Sequence, residues 1–329
     1  MRVFVTGERG FIAQNLVPAF ARLGHTVVGS EDPSLVRNSK GEVCVHRNSE
    51  EAWHGMLVDC RIDLVVHNAA VVGTDVVALN PAEATLSNVM GTYNVCRAAK
   101  RMGIPVCYMG TSVIYDTPKY QRFTITETSD HRPGTFYGAQ KLAGEHIVMS
   151  TVPEWLIMRP LFAYGGLGDM NSLPAKTFYA HRRGLDKLAM FLDPKKRKDY
   201  MHVEDFCDAV ALACDKELWC QDYNVSAEQP LATGQIVDEM SEVCGADLGR
   251  IIEWHPDTDY LGNHVLSSKK FRETTGWKPR HTLRSGLQQS WESICRGSEA
   301  YNPLEHLEAA RSRGVDLLQH FPQVDDRLV

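Results

Sequence analysis

The opening stretch MRVFVTGERGFIAQNL constrains the fold more than any other part of the chain. The apolar residues of MRVFVTG predict a buried strand that ends at Gly7, and QNLVPAFARLG fits a helix closed by Gly24. Between them lies the pattern Gly7-x-x-Gly10-x-x-Ala13. Glycines there let the backbone turn sharply and approach a pyrophosphate, and the helix N-terminus then offers its N–H groups to that anion. Because many strand–helix turns contain two glycines, the pattern alone leaves an ordinary turn as an equal alternative.

Strands and helices alternate through the first half of the chain. IDLVVHNAA is apolar almost throughout, which is typical of a parallel strand buried on both faces. The segment NPAEATLSNVMGTYNVCRAAKRMG predicts a helix, with Asn80 as its cap, Pro81 at its first position and Gly103 after its end. IPVCYMG and WLIMRP are further strands, and FYGAQKLAGEHIVMS is a further helix. This alternation predicts an α/β fold with a doubly wound parallel sheet.

The second half of the sequence is less regular. GGLGDMNSLP is typical of a loop, DYNVSAEQP of a strand and TGQIVDEMSEVCG of a helix. We expect a dinucleotide-binding domain over residues 1–165 and a smaller substrate-binding lobe over 166–296. Segments near 200–228 are expected to return to the first domain. Residues 297–329 form a C-terminal tail whose role the sequence does not indicate.

The composition excludes several classes of protein. A net charge of −6 over 329 residues provides no global basic field for nucleic acid. The chain contains no run of 18 apolar residues, and its N-terminus lacks the pattern of a signal peptide. Its nine cysteines form no CxxC pair, and its thirteen histidines form no HxH or HxxxH pair. We therefore expect a cytoplasmic protein with no disulfide framework, no metal site, and no membrane or nucleic-acid partner.

HTVVGSED predicts a second strand, and the acidic pair at its end bears on the choice of dinucleotide. Glu31, followed by Asp32, lies roughly 20 residues past the glycine loop, where a carboxylate can accept both hydroxyls of an adenosine ribose. It would repel the 2′-phosphate of NADP. Arg9, inside the glycine loop, can reach a 2′-phosphate and favours the opposite choice. We expect NAD, with NADP as the alternative. Glu31 and Asp32 could also be solvated loop residues that bind no cofactor.

Residues 136–145, FYGAQKLAGE, place Tyr137 and Lys141 on one face of a predicted helix. An ammonium near a phenol favours the phenolate and lowers the phenol pKa from about 10, so the pair can take a proton from a hydroxyl and return it. A tyrosine packed against a lysine stem is the common structural alternative. The strand end YMGTSVIYD supplies Thr111, whose hydroxyl can bridge a substrate hydroxyl and the Tyr137 oxygen. These three residues are the predicted catalytic set.

From residue 1 to about 295 the chain resembles the extended short-chain dehydrogenases/reductases of the NDP-sugar epimerase/dehydratase family. TGERGFIA resembles the family's TGxxGFIG, and HNAA, NVMGT, TSVIYD, YGAQK and RPLFAYGG follow in family order. KDYMHVEDFCDAV resembles RDYIHVxDxxxA, and SSKKFRETTGWKPRHTLRSGLQQSWE resembles the C-terminal signature. The resemblance implies a Rossmann-type fold and an enzyme of carbohydrate biosynthesis that acts on a nucleotide-diphosphate sugar. It also implies a homodimer, formed by helices around 82–102 and 137–150.

The resemblance also assigns roles to individual residues. Thr111, Tyr137 and Lys141 would carry the chemistry, and the last two would also contact the cofactor. The substrate would be contacted by Ser112, Phe162 and Lys198. The dinucleotide would be bound by residues of the glycine loop, the second strand end and the HNAA segment: Gly7, Arg9, Gly10, Phe11, Ile12, Glu31, Asn68, Ala69 and Ala70.

The two positions that follow Thr111 distinguish the reactions of the family. The 4,6-dehydratases carry a Glu just beyond the catalytic Ser/Thr, often after an Asp, and UDP-glucuronate decarboxylases usually carry a Glu there. This chain has Ser112 and Val113, which favours a 4-epimerase. The alternative is an NADPH-dependent ketoreductase resembling GDP-fucose synthase, whose cysteine acid would fall at Val113. A non-catalytic NAD(P)-binding regulator is a third reading, which the presence of Tyr137 and Lys141 disfavours.

Two of the residues expected to contact the substrate depart from the family pattern. Phe162 stands where the family usually has an Asn that holds the substrate's phosphates or sugar. Lys198 takes the place of an Arg that pairs with the substrate pyrophosphate, and it offers a charge without the bidentate fork. The usual pose of a UDP-hexose is therefore not assured here.

Overall fold

The computed structural model describes residues 1–8, 10–29, 49–115, 124–166 and 168–296. Its strands are β1 Arg2–Thr6, β2 Thr26–Val28, β3 Leu64–His67, β4 Val106–Met109, β5 Trp155–Pro160, β6 Ala163–Tyr164, β7 Leu188–Met190, β8 Arg197–Lys198, β9 Met201–His202, β10 Gln221–Val225, β11 Leu231–Ala232 and β12 Ile252–Trp254. Its α-helices are α1 Phe11–Arg22, α2 Glu50–Asp59, α3 Thr74–Leu79, α4 Pro81–Thr85, α5 Gly91–Met102, α6 Phe136–Thr151, α7 Leu173–Arg182, α8 Val203–Asp215, α9 Thr233–Cys244, α10 Lys269–Thr275 and α11 Leu283–Arg296.

Six parallel strands form the central sheet in the order β2-β1-β3-β4-β5-β10. The chain leaves β1 for β2 on one side and then crosses to β3 on the other. The carboxyl ends of β1 and β3 therefore diverge into a crevice, which is where sheets of this kind bind ligands. The predicted fold class, an α/β doubly wound parallel sheet, is confirmed.

Helices cover both faces of this sheet. Helices α1 and α8 pack together on one face, and α2, α5 and α6 pack on the other. The strand β3 at the centre is buried on both faces, with Leu64, Val65 and Val66 at 0% exposure. Its continuous apolar run in the sequence is a direct consequence of that double burial.

The predicted helix after residue 80 forms with the expected ends. The Asn80 side chain accepts a hydrogen bond from the Glu83 N–H at 3.3 Å, and Pro81 occupies the first helical position. Gly103 ends the segment in the left-handed conformation at φ 68°. A π-helical turn over Leu86–Met90 lies between α4 and α5.

A second, smaller core lies beyond the sheet. It includes apolar residues of α7, α9 and α11 and of the short strands β7 and β12. Strand β10 pairs with β5 and α8 packs on α1, which places residues 203–225 with the central sheet. None of the helices in the described ranges is long and apolar enough to cross a membrane.

A buried ion network fastens helix α6 to the sheet. The Arg159 guanidinium on β5 donates to both carboxylate oxygens of Glu145 on α6, at 3.0 and 2.8 Å. It also donates to Asp222 on β10 at 2.7 Å and to the Tyr115 hydroxyl at 3.0 Å. Arg159 is 2% exposed and Glu145 is 0% exposed. The bidentate geometry compensates the cost of burying both charges.

We expect Arg159→Met to lower the free energy of unfolding by about 3–5 kcal/mol, because it leaves the Glu145 carboxylate buried without its partner. Urea unfolding followed by circular dichroism measures the change. The matched control is Glu273→Gln, which removes an exposed ion pair with Lys269 at 3.8 Å. Its unfolding midpoint should stay at the wild-type value. Equal unfolding midpoints for the two variants would show that the buried network around Arg159 does not stabilise the fold.

Candidate active site

The glycine loop packs directly on the segment that follows β3. Gly7 has φ 69°, and a Cβ built on it would lie 2.9 Å from the Cα of Ala69. No L side chain fits such a contact without moving backbone. Gly10 occupies the N-cap of α1, which has no side-chain cap and no acidic residue in its first turn. The first N–H groups of α1 therefore face the crevice without a competing carboxylate, as an anion site requires.

Thr6, which the sequence analysis did not single out, shapes the other side of this crevice. Its Oγ1 accepts hydrogen bonds from the backbone N–H groups of Asn68 at 3.0 Å and Ala69 at 2.9 Å. It also contacts His67 Nδ1 at 2.9 Å. The HNAA segment, which ends at Ala70, is thereby held against the end of β1. No local sequence signal marks Thr6, because its partners lie 61 to 63 residues away.

The other predicted cofactor residues divide into two groups. Phe11 and Ile12 form the first turn of α1 and pack partly buried against the core of the sheet. Arg9 and Glu31 lie outside the described residues. The choice between NAD and NADP that rests on these two side chains stays a prediction.

Thr111 and Tyr137 meet where β4 ends and α6 begins. Thr111 precedes a 3₁₀ turn over Ser112–Ile114, and its Oγ1 accepts from the Val113 N–H at 3.4 Å. At Gly138 the helix runs so close to this turn that an added Cβ would lie 2.6 Å from the Val113 carbonyl oxygen. The close approach brings the Thr111 hydroxyl within hydrogen-bonding reach of the Tyr137 phenol.

The electrostatics of Tyr137 differ from the sequence expectation. Burial raises the pKa of its phenol, Tyr260 raises it further, and the hydrogen bond with Thr111 lowers it. The expected lowering of this pKa by Lys141 is not seen in this structure. Burial also lowers the pKa of Lys141 to about 7, although Glu145 acts to raise it. The Lys141 side chain is then only partly protonated at neutral pH.

Lys141 lies on the same helix face as Tyr137 and is 3% exposed. Its Nζ lies 4.1 Å from the centroid of the Tyr108 ring. Within the described ranges the ammonium makes no hydrogen bond, so its three N–H groups can bind hydroxyls of a ligand in the crevice.

Contacts through His264 and Phe162 connect the three predicted substrate residues into one wall beside Thr111. The His264 ring hydrogen-bonds the backbone of Ser112. Its edge meets Phe162 at 5.9 Å between ring centroids, and Phe162 stacks on Tyr200 at 5.3 Å. Phe162 has φ 23°, an uncommon conformation for an aromatic residue. The wall is therefore aromatic where the family usually presents an amide.

Lys198, the remaining member of that wall, already has protein partners. Its Nζ lies 2.8 Å from Asp259 Oδ1 and 2.7 Å from the Gly262 carbonyl oxygen. Lys198 is 0% exposed, and burial lowers its pKa although Asp259 acts to raise it. Its charge is thus balanced within the protein, and binding a pyrophosphate would require it to leave Asp259. Its role in substrate binding stays a prediction.

The sequence of residues 3–226 matches the sequence model of the NAD dependent epimerase/dehydratase family. The chain belongs to this family. The predicted resemblance is confirmed, as is the prediction of an NAD(P)-dependent enzyme acting in nucleotide-sugar chemistry. The predicted cofactor, NAD, is the one that the family description carries.

Individual relatives span more than one reaction. The chain is 26% identical over 314 residues to a UDP-glucose 4-epimerase of Mycolicibacterium smegmatis, covering 89% of this chain and 98% of that protein. It is 30% identical over 179 residues to a probable low-salt glycan biosynthesis reductase of Haloferax volcanii, covering 53% and 57%. A UDP-glucuronic acid 4-epimerase from Bacillus cereus, solved with UDP-glucuronic acid and NAD, superposes with a TM-score of 0.77 at 19% identity, covering 90% of this chain and 99% of that one.

Asn88, in the π-helical turn, connects two segments of the site by hydrogen bonds. Its Oδ1 accepts from the Val71 N–H at 2.7 Å, and its Nδ2 donates to the Val71 carbonyl at 2.9 Å and to Gln140 Oε1 at 2.9 Å. It therefore joins the chain after HNAA to helix α6, between Tyr137 and Lys141. The turn that presents Asn88 is not signalled by the helical pattern of the sequence.

Three residues that could ligate a metal come together outside this site. One ligand atom each of His202, Glu204 and His281 lies within 4.8 Å of the others. Both nitrogens of His281 are already bonded, to Asp205 at 2.9 Å and to Gln289 at 3.0 Å. His202 and His281 are thus close in space although they are far apart in the sequence. The hydrogen bond between His281 and Asp205 joins α8 to the segment just before α11.

We expect Gly7→Ala to weaken NAD binding at least tenfold, because the new Cβ would push the HNAA segment out of the crevice. Isothermal titration calorimetry measures the affinity. Gly103→Ala is the matched control, because Gly103 has nearly the same φ, 68°, with nothing within 4 Å of an added Cβ. Both variants carry a backbone cost of roughly 1–2 kcal/mol, but only Gly7→Ala should lose NAD. Equal affinities would contradict the role of the loop.

Proposed function

We propose that the protein is an NAD-dependent 4-epimerase of a nucleotide-diphosphate sugar. The observation that carries the proposal is the meeting of Thr111, Tyr137 and Lys141 beside the crevice, followed by Ser112 and Val113. A dehydratase needs an acid or base just beyond Thr111 to drive elimination of water. Neither Ser112 nor Val113 supplies one, whereas epimerisation needs nothing further there.

In this mechanism the protein moves one proton and holds one hydroxyl. As the phenolate, Tyr137 would take the proton from the sugar hydroxyl at C4, and as the phenol it would return that proton after the other face has been presented. Thr111 bonds both that hydroxyl and the phenolic oxygen, which orients the transfer. Bound NAD supplies the acceptor and the donor of hydride for the same carbon. The aromatic wall of Phe162 and Tyr200 excludes water beside the reacting sugar.

The residues that would hold NAD follow from the crevice. The N–H groups at the start of α1 would bind the pyrophosphate, with Gly7 and Gly10 allowing its approach. The Lys141 ammonium would bind hydroxyls of a ribose. The Asn68–Ala70 segment, held by Thr6, would form the opposite wall.

The second candidate is a ketoreductase that takes hydride from NADPH once. The reductase relative at 30% identity favours it, and so does an arginine at position 9 of the glycine loop. The same three catalytic residues would then protonate the alcohol that is formed. The 4-epimerase remains the better supported reading, because the M. smegmatis relative matches over nearly its whole length.

The first experiment is incubation of the purified protein with UDP-, GDP-, dTDP-, CDP- and ADP-sugars, without added cofactor. Products are identified by mass and by anomeric proton NMR. A new sugar of unchanged mass supports the epimerase. Loss of water would overturn the argument from Ser112 and Val113. Turnover only with NADPH and a keto-sugar would move the assignment to the reductase.

We expect Tyr137→Phe to lower kcat roughly 100- to 10,000-fold while leaving NAD affinity within about twofold, because only the proton-transferring oxygen is removed. Tyr260→Phe is a matched control, since Tyr260 is 52% exposed and neighbours the phenol electrostatically. Its kcat should fall far less. Full activity of Tyr137→Phe would contradict the proposed proton transfer by Tyr137.

The homodimer is proposed on the same family resemblance, and one surface supports it. Leu86, Met90 and Tyr93 are 40–43% exposed on successive turns before and within α5, and Phe136 at the start of α6 is 54% exposed. We expect Met90→Glu to give a monomer in light scattering, because a charge would be buried in the interface. Val17→Glu, at an exposed site of α1, should stay dimeric. A dimeric Met90→Glu would place any interface elsewhere.

A further inference from the structure

A buried tyrosine ring lies against the catalytic lysine. The Nζ of Lys141 lies 4.1 Å from the centroid of the Tyr108 ring, well within the range of a cation–π contact. Tyr108 is 1% exposed and Lys141 is 3% exposed, so water does not weaken the contact. Tyr108 comes from the middle of β4, two residues before the loop that carries Thr111.

The packing of helix α6 fixes the position of this ring. A Cβ built on Gly144 would lie 2.7 Å from Cζ of Tyr108, and closer still to its hydroxyl. The ring can therefore lie against α6 only because residue 144 is glycine. Its hydroxyl lies 3.5 Å from the Lys141 carbonyl oxygen, which completes the contact with the helix. Tyr108 and Gly144 together hold the ring opposite the ammonium.

The other groups around Lys141 compensate its burial poorly. Glu145 follows one turn later on α6, but both of its carboxylate oxygens bind Arg159. His67 on β3 is neutral, since burial lowers its pKa to about 3. Tyr137 is an uncharged phenol at neutral pH. The Tyr108 face, 4.1 Å from Nζ, is thus a second group beside Glu145 that favours the charged lysine.

We propose that Tyr108 is a positioning residue of this site, whose ring holds the Lys141 ammonium in place and keeps it charged next to Tyr137. The proposal rests on the proposed function for its catalytic consequence, but the contact itself can be tested without substrate. Loss of the ring leaves the lysine neutral over more of the working pH range. A neutral lysine supports proton transfer by Tyr137 less well.

The test uses ¹³C,¹⁵N-lysine NMR on the full-length protein, with the Lys141 signal assigned by its loss in Lys141→Met. In the wild type we expect an upfield ring-current shift of the Lys141 ε-protons. Tyr108→Phe keeps the ring and should keep both this shift and the titration midpoint. Tyr108→Leu and Tyr108→Met should lose the shift and titrate about one pH unit lower, a tenfold change in the protonation constant.

A second variant moves the ring without removing it. Gly144→Ala should displace the Tyr108 ring and reproduce the loss of the ring-current shift. In a Tyr108→Leu background the same substitution should have no further effect on Lys141, because the clash is gone. This cycle keeps the test decisive if one of the Tyr108 variants does not fold. A Lys141 titration that is unchanged in the folded ring-less variants overturns the proposal.

Kinetics separate this inference from the proposed function. If the sugar panel gives turnover, the fall in kcat on the alkaline side should begin about one unit lower in Tyr108→Leu than in Tyr108→Phe. The NMR titration needs no substrate. A shifted titration together with no turnover of any sugar would refute the epimerase and support the role of Tyr108.

Discussion

The Arg159 guanidinium joins four parts of the protein through buried hydrogen bonds. Its partners are Glu145 on α6, Asp222 on β10 and the Tyr115 hydroxyl after β4, and the latter in turn donates to Asn224 at 2.7 Å. Tyr137 and Lys141 lie on the same helix as Glu145, within its first two turns. The position of α6, which carries the proposed catalytic residues, therefore depends on a charge that no solvent screens. Removal of this charge would disturb the geometry of the site as well as the stability of the fold.

Desolvation is the dominant electrostatic effect in the site itself. It raises the pKa of Tyr137, lowers that of Lys141 to about 7, and keeps His67 neutral. The protein alone thus holds Tyr137 as a neutral phenol and Lys141 only partly protonated at neutral pH. A hydrogen bond to the Tyr137 oxygen or a positive charge beside it would favour the phenolate, whereas a phosphate charge nearby would oppose it.

Local patterns in the sequence predicted much of this structure. The alternation of strands and helices gave the sheet, and Asn80 with Gly103 marked the ends of a helical segment. The spacing of Tyr137 and Lys141 placed them on one face because a helix has 3.6 residues per turn. Contacts between distant segments could not be predicted in this way. Thr6 with Asn68 is one example, and the reversal of the expected pKa shift of Tyr137 is another, since burial is a property of the whole fold.

The ion pair between Lys198 and Asp259 has a consequence for how this enzyme can diverge. Both side chains are at most 2% exposed, and they lie on segments 61 residues apart. Removal of either charge leaves the other buried without its partner, which is strongly destabilising whatever its effect on a ligand. A substitution that removes one charge therefore needs a compensating change at the other position. Comparison of related chains should reveal correlated replacements at 198 and 259.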